Sequence, residues 1–420
     1  MSRGLRVILA VVMVMALFPV GAVSAQTPPV PNCVPFPIDP VTGEIYLICQ
    51  PATWNGDLVV FAHGYVAPNE PMSKFLEQLV LPDGSTIPGL TTGLGFGFAT
   101  TSYRKNGLAV KEGVEDVARL VAFYTDNFGA PQHVYLIGAS EGGLVTTLAV
   151  EQHPELYAGG LAMCGPIGNF NQQINYWGDF RVLYDYFFPA SAYPLAQIPN
   201  SAVDINEPLV WPNWPNISLA IAQAVTMNPA MPQLLKTARA PIDPADPASA
   251  ISTTVGILAY NVFATNEGKV ELTGQPFDNW YRFYYGSAND LALNRSVARY
   301  KADRTANVEI ARYYQTTGKL KAPLVTLHTT GDPIVPYWHE TLYTIKTVMT
   351  GSLLKRINLP IARYGHCNFT AGEALAGFAV LVLRAGGWQL HDVDKVLTDP
   401  TAVKDYDKLL NQYFNDKAPR

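Results

Sequence analysis

The chain carries little charge and has no cluster of basic residues. Asp, Glu, Lys and Arg make up 15% of its 420 residues, and the formal net charge is −5. A protein that binds nucleic acid needs a concentrated positive face to neutralise phosphates. The composition therefore argues against a nucleic-acid partner. No group of His, Asp and Glu shows the spacing of metal ligands, so we predict neither a metal nor a cofactor.

Long hydrophobic runs are also absent, except at the N-terminus. Arg3 and Arg6 precede an apolar stretch at 7–20, which is short for a bilayer span, and small residues follow at 23–25. This pattern is typical of a signal peptide, with a retained membrane anchor as the alternative. We expect a mature chain that starts at Gln26, is secreted to the periplasm or outside the cell, and has no stable membrane insertion.

Only four cysteines are present, and an oxidising compartment would allow two disulfides among them. Three pairings are possible, and four free thiols are the alternative. We favour Cys33–Cys49, which would tie down the N-terminal extension. That choice leaves Cys164 and Cys367 as the second pair.

The most informative feature present is a Gly-x-Ser-x-Gly motif centred on Ser140. An apolar strand pattern at 134–137 runs directly into it, and a helical pattern at 144–152 follows. This is the context of a nucleophile elbow, a sharp turn that exposes the serine hydroxyl above a sheet edge. Gly138 and Gly142 would leave room where a Cβ would collide. The alternative is an ordinary glycine-rich turn between strand and helix.

A serine nucleophile needs a base to take its proton and a carboxylate to orient that base. Asp332 follows one predicted strand, and His366 follows the next. The chain order of Ser140, Asp332 and His366 is that of α/β-hydrolases. Asp332 precedes a proline and could instead start a turn, while His328 and His339 are the rival bases.

The negative charge that develops during acyl transfer needs backbone N–H donors close to the nucleophile. We expect one donor to be the N–H of Glu141, directly after Ser140. The second should follow the apolar strand that ends in His63-Gly64. There the N–H of Tyr65 is the favoured donor, with Val66 as the alternative.

The composition changes between the two regions that hold these motifs. From about 168 to 319 the chain is rich in aromatic residues, asparagine and proline, and no strand–helix alternation is visible. Helices are expected at 218–227 and 297–316, whereas 26–40 should be irregular. Alternating strands and helices on both sides predict a mostly parallel sheet covered by helices, interrupted by a mainly helical insertion. The predicted divisions are a signal peptide at 1–25, a first core part at 26–168, a helical cap at 169–318 and a second core part at 319–420.

Together these motifs resemble the α/β-hydrolase superfamily, over about 50–168 and 319–390. The resemblance implies Ser140 as nucleophile, His366 as base, Asp332 as acid, and Tyr65 and Glu141 as oxyanion donors. It also implies a cap domain between the sixth and seventh strands of the core.

Within the superfamily, the chain is most similar to secreted bacterial esterases of the feruloyl-esterase and tannase kind. There, as here with Cys367, a cysteine follows the catalytic histidine and pairs with one beside the nucleophile. Ala139 and Glu141 flank Ser140 in this chain, which departs from that pattern. The free candidate partner is Cys164.

The predicted function is therefore a secreted serine esterase that acts through a Ser-His-Asp triad and an acyl-enzyme. Its substrate would be a small-molecule or polymer-borne ester with apolar or aromatic groups, bound by aromatic cap residues: Tyr176, Trp177, Trp280 and Tyr284. A peptidase or amidase with the same triad is the alternative. A binding protein with an inactive catalytic site is disfavoured, because Ser140, Asp332 and His366 are all present. The sequence gives no indication of oligomeric state.

Overall fold

The structure is a computed structural model, and it describes residues 32–387, 390 and 393–417. The predicted signal peptide lies outside the described residues. Among the helices that are described, none has both the length and the apolar character needed to cross a membrane.

An eight-stranded sheet forms the centre of the protein. Its strands are β1 Cys33–Asp39, β2 Glu44–Cys49, β3 Leu58–Ala62, β4 Gly97–Thr101, β5 Val134–Ala139, β6 Gly159–Met163, β9 Leu324–Gly331 and β10 Arg356–Tyr364. Two further strands, β7 Asn200–Ser201 and β8 Asp204–Ile205, form a separate two-stranded ribbon. The order across the sheet is β1-β2-β4-β3-β5-β6-β9-β10, and β7 pairs with β8. Strands β4, β3, β5, β6 and β9 pair in parallel. The predicted fold class, a mostly parallel sheet flanked by helices, is confirmed.

The prediction of an irregular segment at 26–40 is wrong for its second half. Cys33–Asp39 is a strand that pairs antiparallel with β2, which itself pairs antiparallel with β4. Two prolines, Pro35 and Pro37, misled the prediction. An edge strand tolerates proline because one side of its backbone has no partner strand.

Helices connect the strands. The α-helices span Ile87–Gly93, Val110–Phe128, Glu141–Gln152, Phe170–Phe187, Glu207–Met227, Met231–Ala238, Ser249–Glu271, Asp290–Ser296, Arg304–Glu309, Trp338–Met349, Ala371–Arg384, Val393–Val396 and Pro400–Lys417. Short 3₁₀ segments occur at Met72–Leu79, Pro194–Ala196 and Leu353–Lys355, and a π segment at Ile310–Tyr314. One apolar core contains side chains from the sheet and from helices Ala371–Arg384 and Pro400–Lys417. All five residues of β3, β4 and β6 are buried, as expected for central strands covered on both faces.

The chain divides into two compact units. One comprises Phe170–Arg312 and the short segment Gly331–Pro336. The other comprises the described parts of 26–169, 313–330 and 337–420, and it contains the sheet. The first unit is mainly helical, and most of its sequence follows β6, the sixth strand of the sheet along the chain. The boundaries predicted from composition, 169 and 318, stay a prediction.

The expected helix at 297–316 is wrong in extent, because only Arg304–Glu309 is α-helical and a π segment follows. Side chains elsewhere in the chain hold the preceding segment extended. Asn279 accepts a hydrogen bond from the N–H of Tyr300 (2.7 Å) and donates one to the carbonyl of Ala298 (2.9 Å). These contacts override a helical preference that the local sequence does carry.

Candidate active site

Ser140 lies at the sharp turn between β5 and helix Glu141–Gln152. Its backbone has φ 56° and ψ −121°, a region that residues with a Cβ rarely adopt. The turn is held because the N–H of Ser140 donates to the carbonyl of Met163 (2.9 Å) and its own carbonyl accepts from Gly143 (2.9 Å). The strained serine conformation is that of a nucleophile elbow.

Both glycines of the motif stand where no side chain fits. A Cβ at Gly138 would overlap the carbonyl of Gly142, and one at Gly142 would overlap the carbonyls of Ala62 and His63. The backbone of helix Glu141–Gln152 therefore packs directly against the backbones of strands β5 and β3, with no side chain between them. The close approach explains why the motif needs glycine at these two positions.

His366 is the histidine that the structure brings to Ser140. Its Nε2 lies 2.8 Å from Ser140 Oγ, and both residues are partly exposed. An imidazole nitrogen at this distance can accept the hydroxyl proton.

The loop that carries His366 is fixed on two sides. The hydroxyl of Thr329, in β9, donates to the carbonyl of Gly365 at 2.5 Å. On the other side, Cys367 forms a disulfide with Cys164, which follows β6. The sulfur of Cys367 lies 3.5 Å from Nε2 of His366. The bridge thus ties the histidine loop to the end of a central strand, directly beside the Ser–His contact.

The two rival histidines are buried and engaged elsewhere. Nδ1 of His328 lies 3.2 Å from Glu340, which also pairs with Arg356 at 2.5 Å. Nδ1 of His339 accepts the N–H of Gly168 at 2.9 Å. Both imidazoles thus have contacts expected of buried structural histidines.

Asp332 belongs to the smaller unit and directly follows β9. Its side chain is fully buried, and Oδ1 accepts the N–H groups of Ile334 (2.9 Å) and Val335 (3.0 Å). A carboxylate that accepts two backbone N–H groups is held in one orientation. These contacts form the turn that was the alternative interpretation of Asp332, and its role as the acid stays a prediction.

Helix Phe170–Phe187 holds the loop that carries Asp332. The hydroxyl of Tyr176 donates to the carbonyl of Pro333 at 2.8 Å. The indole N–H of Trp177 and the amide of Gln173 both donate to the carbonyl of Ile334, at 3.1 and 2.9 Å. Tyr176 and Trp177, both predicted to bind substrate, thus contact the Asp332 loop with their polar ends. The contact of Gln173 is one that the sequence does not predict.

The other two predicted substrate residues differ from each other. Tyr284 is buried, and its hydroxyl donates to Asp179 at 2.6 Å, which also pairs with Arg282. Burial raises the pKa of Asp179 to about 6, and the Arg282 charge opposes that rise. Trp280 has 50% of its surface exposed. Of the four aromatic residues it is the most accessible to a ligand.

Both predicted oxyanion donors belong to segments that adjoin the elbow. Glu141 is the first residue of the helix after Ser140, where backbone N–H groups lack intrahelical partners. Gly64 packs so near the serine that an added Cβ would lie 3.2 Å from Ser140 Cβ. Tyr65 is the next residue, so its peptide N–H lies in the segment that contacts the elbow.

In the described part of the chain, one set of side chains has the grouping of metal ligands: Cys164, His366 and Cys367. Two of these three are joined as a disulfide. Thiolates bind metals and disulfide sulfurs do not, so the bridged form does not fit a metal. The absence of a metal from the mechanism stays a prediction.

Comparison with known proteins agrees with this reading of the fold. The model of the prolyl oligopeptidase family matches residues 88–178, a segment that contains β4 to β6 and the Ser140 turn. The chain has the α/β-hydrolase fold. Strand order, elbow and family match agree that it is a serine hydrolase of this fold.

Several proteins of low sequence identity match most of the length of this chain. The o-phthalyl amidase of Xanthobacter agilis is 22% identical over 415 residues, covering 84% of this chain and 88% of that protein. Solved structures that superpose include an arylesterase (10% identity, 85% and 86% coverage, TM-score 0.42) and Candida antarctica lipase A (13%, 87% and 82%, 0.41). A third is the Pyrococcus horikoshii acylaminoacyl peptidase (14%, 88% and 44%, 0.40), of which the chain spans less than half. None of these proteins is described as a feruloyl esterase or tannase, so the similarity of this chain to that group stays a prediction.

Proposed function

We propose that this α/β-hydrolase cleaves carboxylic esters through an acyl-enzyme on Ser140, with His366 as the base and Asp332 as the acid. The observation that carries the proposal is the contact of 2.8 Å between His366 Nε2 and a hydroxyl exposed by a strained elbow. A folded chain keeps such strain at functional sites, where the surrounding structure imposes it.

The reaction runs in two balanced halves. Ser140 Oγ attacks the acyl carbon while its proton passes to His366. The oxyanion of the tetrahedral intermediate accepts hydrogen bonds from the backbone N–H groups of Tyr65 and Glu141. His366 then protonates the leaving alcohol, which leaves the acyl group on Ser140. Water then attacks the acyl carbon while His366 takes one of its protons. His366 returns that proton to Ser140 Oγ as the bond between Oγ and the acyl carbon breaks, which releases the acid product and free serine. Asp332 would orient the imidazole and stabilise its protonated form.

An ester is the favoured substrate over a peptide with a free N-terminus. An aminopeptidase needs an acidic anchor for the substrate ammonium, and the candidate carboxylates in this chain are Glu141, Asp185 and Glu207. Glu141 instead accepts the N–H of Ala109 at 2.9 Å. Asp185 is paired with Arg181 at 2.9 Å. The first two carboxylates are thus engaged in contacts that hold the fold.

An amidase is the second candidate, because a relative along 84% of this chain is an o-phthalyl amidase. Acyl transfer from an amide would use the same serine and histidine. Ester and amide hydrolysis differ in the leaving group. An amine is a poor leaving group, so its nitrogen must be protonated as the bond between carbon and nitrogen breaks.

Matched substrates separate the two candidates. We would measure kcat/KM for p-nitrophenyl esters and p-nitroanilides that share the acetyl, benzoyl or phthalyl group, with Ser140→Ala as the blank. The proposal expects ester hydrolysis well above the blank and anilide hydrolysis close to it. Anilide turnover comparable to that of the ester would establish the amidase instead. Equal ester turnover by Ser140→Ala would refute both.

A further inference from the structure

One polar side chain outside the predicted triad contacts the oxyanion segment with both ends of its amide. Gln78 lies in the 3₁₀ segment Met72–Leu79. Its Oε1 accepts the N–H of Gly64 at 2.7 Å, and its Nε2 lies 3.3 Å from the carbonyls of Gly64 and of Tyr65.

A second side chain acts on the same peptide group. Nδ1 of His63 lies 2.6 Å from the carbonyl of Gly64. The imidazole is buried and stacks on Tyr103, with ring centroids 4.0 Å apart. In the tautomer that carries its proton on Nδ1, His63 donates to this carbonyl. The oxygen of Gly64 is thus held from two sides.

Fixing this carbonyl fixes a donor. The carbonyl of Gly64 and the N–H of Tyr65 belong to one planar trans peptide, in which C=O and N–H point in opposite directions. Holding the oxygen toward His63 and Gln78 therefore directs the Tyr65 N–H to the opposite side. The N–H of Gly64 donates to Gln78. The Tyr65 amide is the donor whose direction this clamp sets.

We infer that Gln78 and His63 are positioning residues that orient the Gly64–Tyr65 peptide, so that the Tyr65 N–H binds the oxyanion. The inference rests on the proposed acyl-transfer function. Catalysis gains from such donors only when they are preorganised for the charge of the transition state. A clamp on the peptide plane supplies this preorganisation without touching the substrate.

Gln78→Met tests the inference, because methionine keeps the length of the side chain and loses all three polar contacts. Removing an oxyanion donor costs about 100- to 1000-fold in kcat, so misorienting one should lower kcat by about 10- to 100-fold with little change in KM. The inhibition constant of a trifluoromethyl ketone, whose serine adduct is a tetrahedral oxyanion, should rise by the same factor. Glu77→Gln, at an exposed residue of the same segment, is the matched control and should be unchanged in both.

Gln78→Glu is the second variant, should Gln78→Met fold poorly. Its carboxylate can still accept the Gly64 N–H and cannot donate to the carbonyls, so the same coupled losses are expected. The inference is overturned if either folded variant keeps kcat within about threefold, or loses kcat with no change in ketone affinity. Ser140→Ala keeps the two claims apart: if it is inactive while both Gln78 variants are normal, the proposed function stands and the clamp is wrong.

Discussion

Nε2 of His366 lies 2.8 Å from Oγ of Ser140, although 226 positions separate the two residues in the chain. The contact depends on two features that are far apart in sequence. One is the strained turn at Ser140, and the other is the histidine loop tied to β6 by the Cys164–Cys367 disulfide.

Replacing Cys164 and Cys367 together by alanine should reduce both stability and activity. Loss of a native disulfide typically costs about 2–5 kcal/mol. The His366 loop would also gain freedom beside Ser140, so kcat should fall at temperatures where the fold is still intact. Denaturant unfolding and activity of the folded fraction measure the two effects.

The control is the other bridge. Cys33 and Cys49 join paired positions of β1 and β2, at the edge of the sheet. Replacing both by alanine should lower stability and leave the activity of the folded enzyme unchanged. Equal losses of activity from the two double variants would show that the Cys164–Cys367 bridge has no particular role at the site.

Tyr176→Phe should lower kcat by a similar factor for all esters. It removes the hydroxyl that holds the carbonyl of Pro333, next to Asp332, and leaves the ring in place. Rates for a series of short and bulky acyl esters measure the effect. A change confined to bulky esters would instead mean that Tyr176 contacts substrate.

Trp280→Ala tests the substrate role where the side chain is accessible, since half of its surface is exposed. If Trp280 binds the acyl group, the kcat/KM of this variant should fall for bulky aromatic esters and stay unchanged for acetyl esters. Tyr284→Phe, at the buried partner of Asp179, is the comparison and should lower stability with no change in selectivity. An unaltered ratio of bulky to short hydrolysis in Trp280→Ala would remove this residue from the substrate pocket.

Stability should fall with acid in a way that depends on His63. Burial lowers the pKa of His63 from 6.5 to about 4, so the folded state keeps it neutral where the unfolded state takes up a proton. Its contribution is therefore complete above pH 6.5 and is lost as the pH falls toward 4, by up to about 3 kcal/mol. Denaturant unfolding at several pH values should show a shallower decline for His63→Asn. Parallel curves for variant and wild type would contradict the assignment.

Local patterns allowed much of the site to be predicted from sequence. The elbow depends on a strand, two glycines and a helix within 20 residues, so the position of Ser140 could be predicted directly. The strand ends that carry Asp332 and His366 were predictable for the same reason. Gln78 was not, because nothing in its own neighbourhood indicates that its amide reaches Gly64, 14 residues away.

The helical insertion was harder to predict because long-range contacts override local signals there. Helix Glu207–Met227 continues through Pro212 and Pro215, whereas proline usually ends a helix. The neighbouring Trp211 and Trp214 pack on Phe263 of another helix, with centroids 4.4 and 5.4 Å away. Tertiary packing of this kind cannot be inferred from the sequence of the helix alone.

Covalent labelling with a fluorophosphonate identifies the nucleophilic serine directly. The purified enzyme would be treated with a fluorophosphonate, and the intact mass and the modified peptide determined. We expect one adduct per chain, located on Ser140, absent in Ser140→Ala and formed far more slowly in His366→Ala. An undiminished adduct in Ser140→Ala, or full labelling speed in His366→Ala, would contradict the assignment of this serine and histidine as the nucleophile and its base.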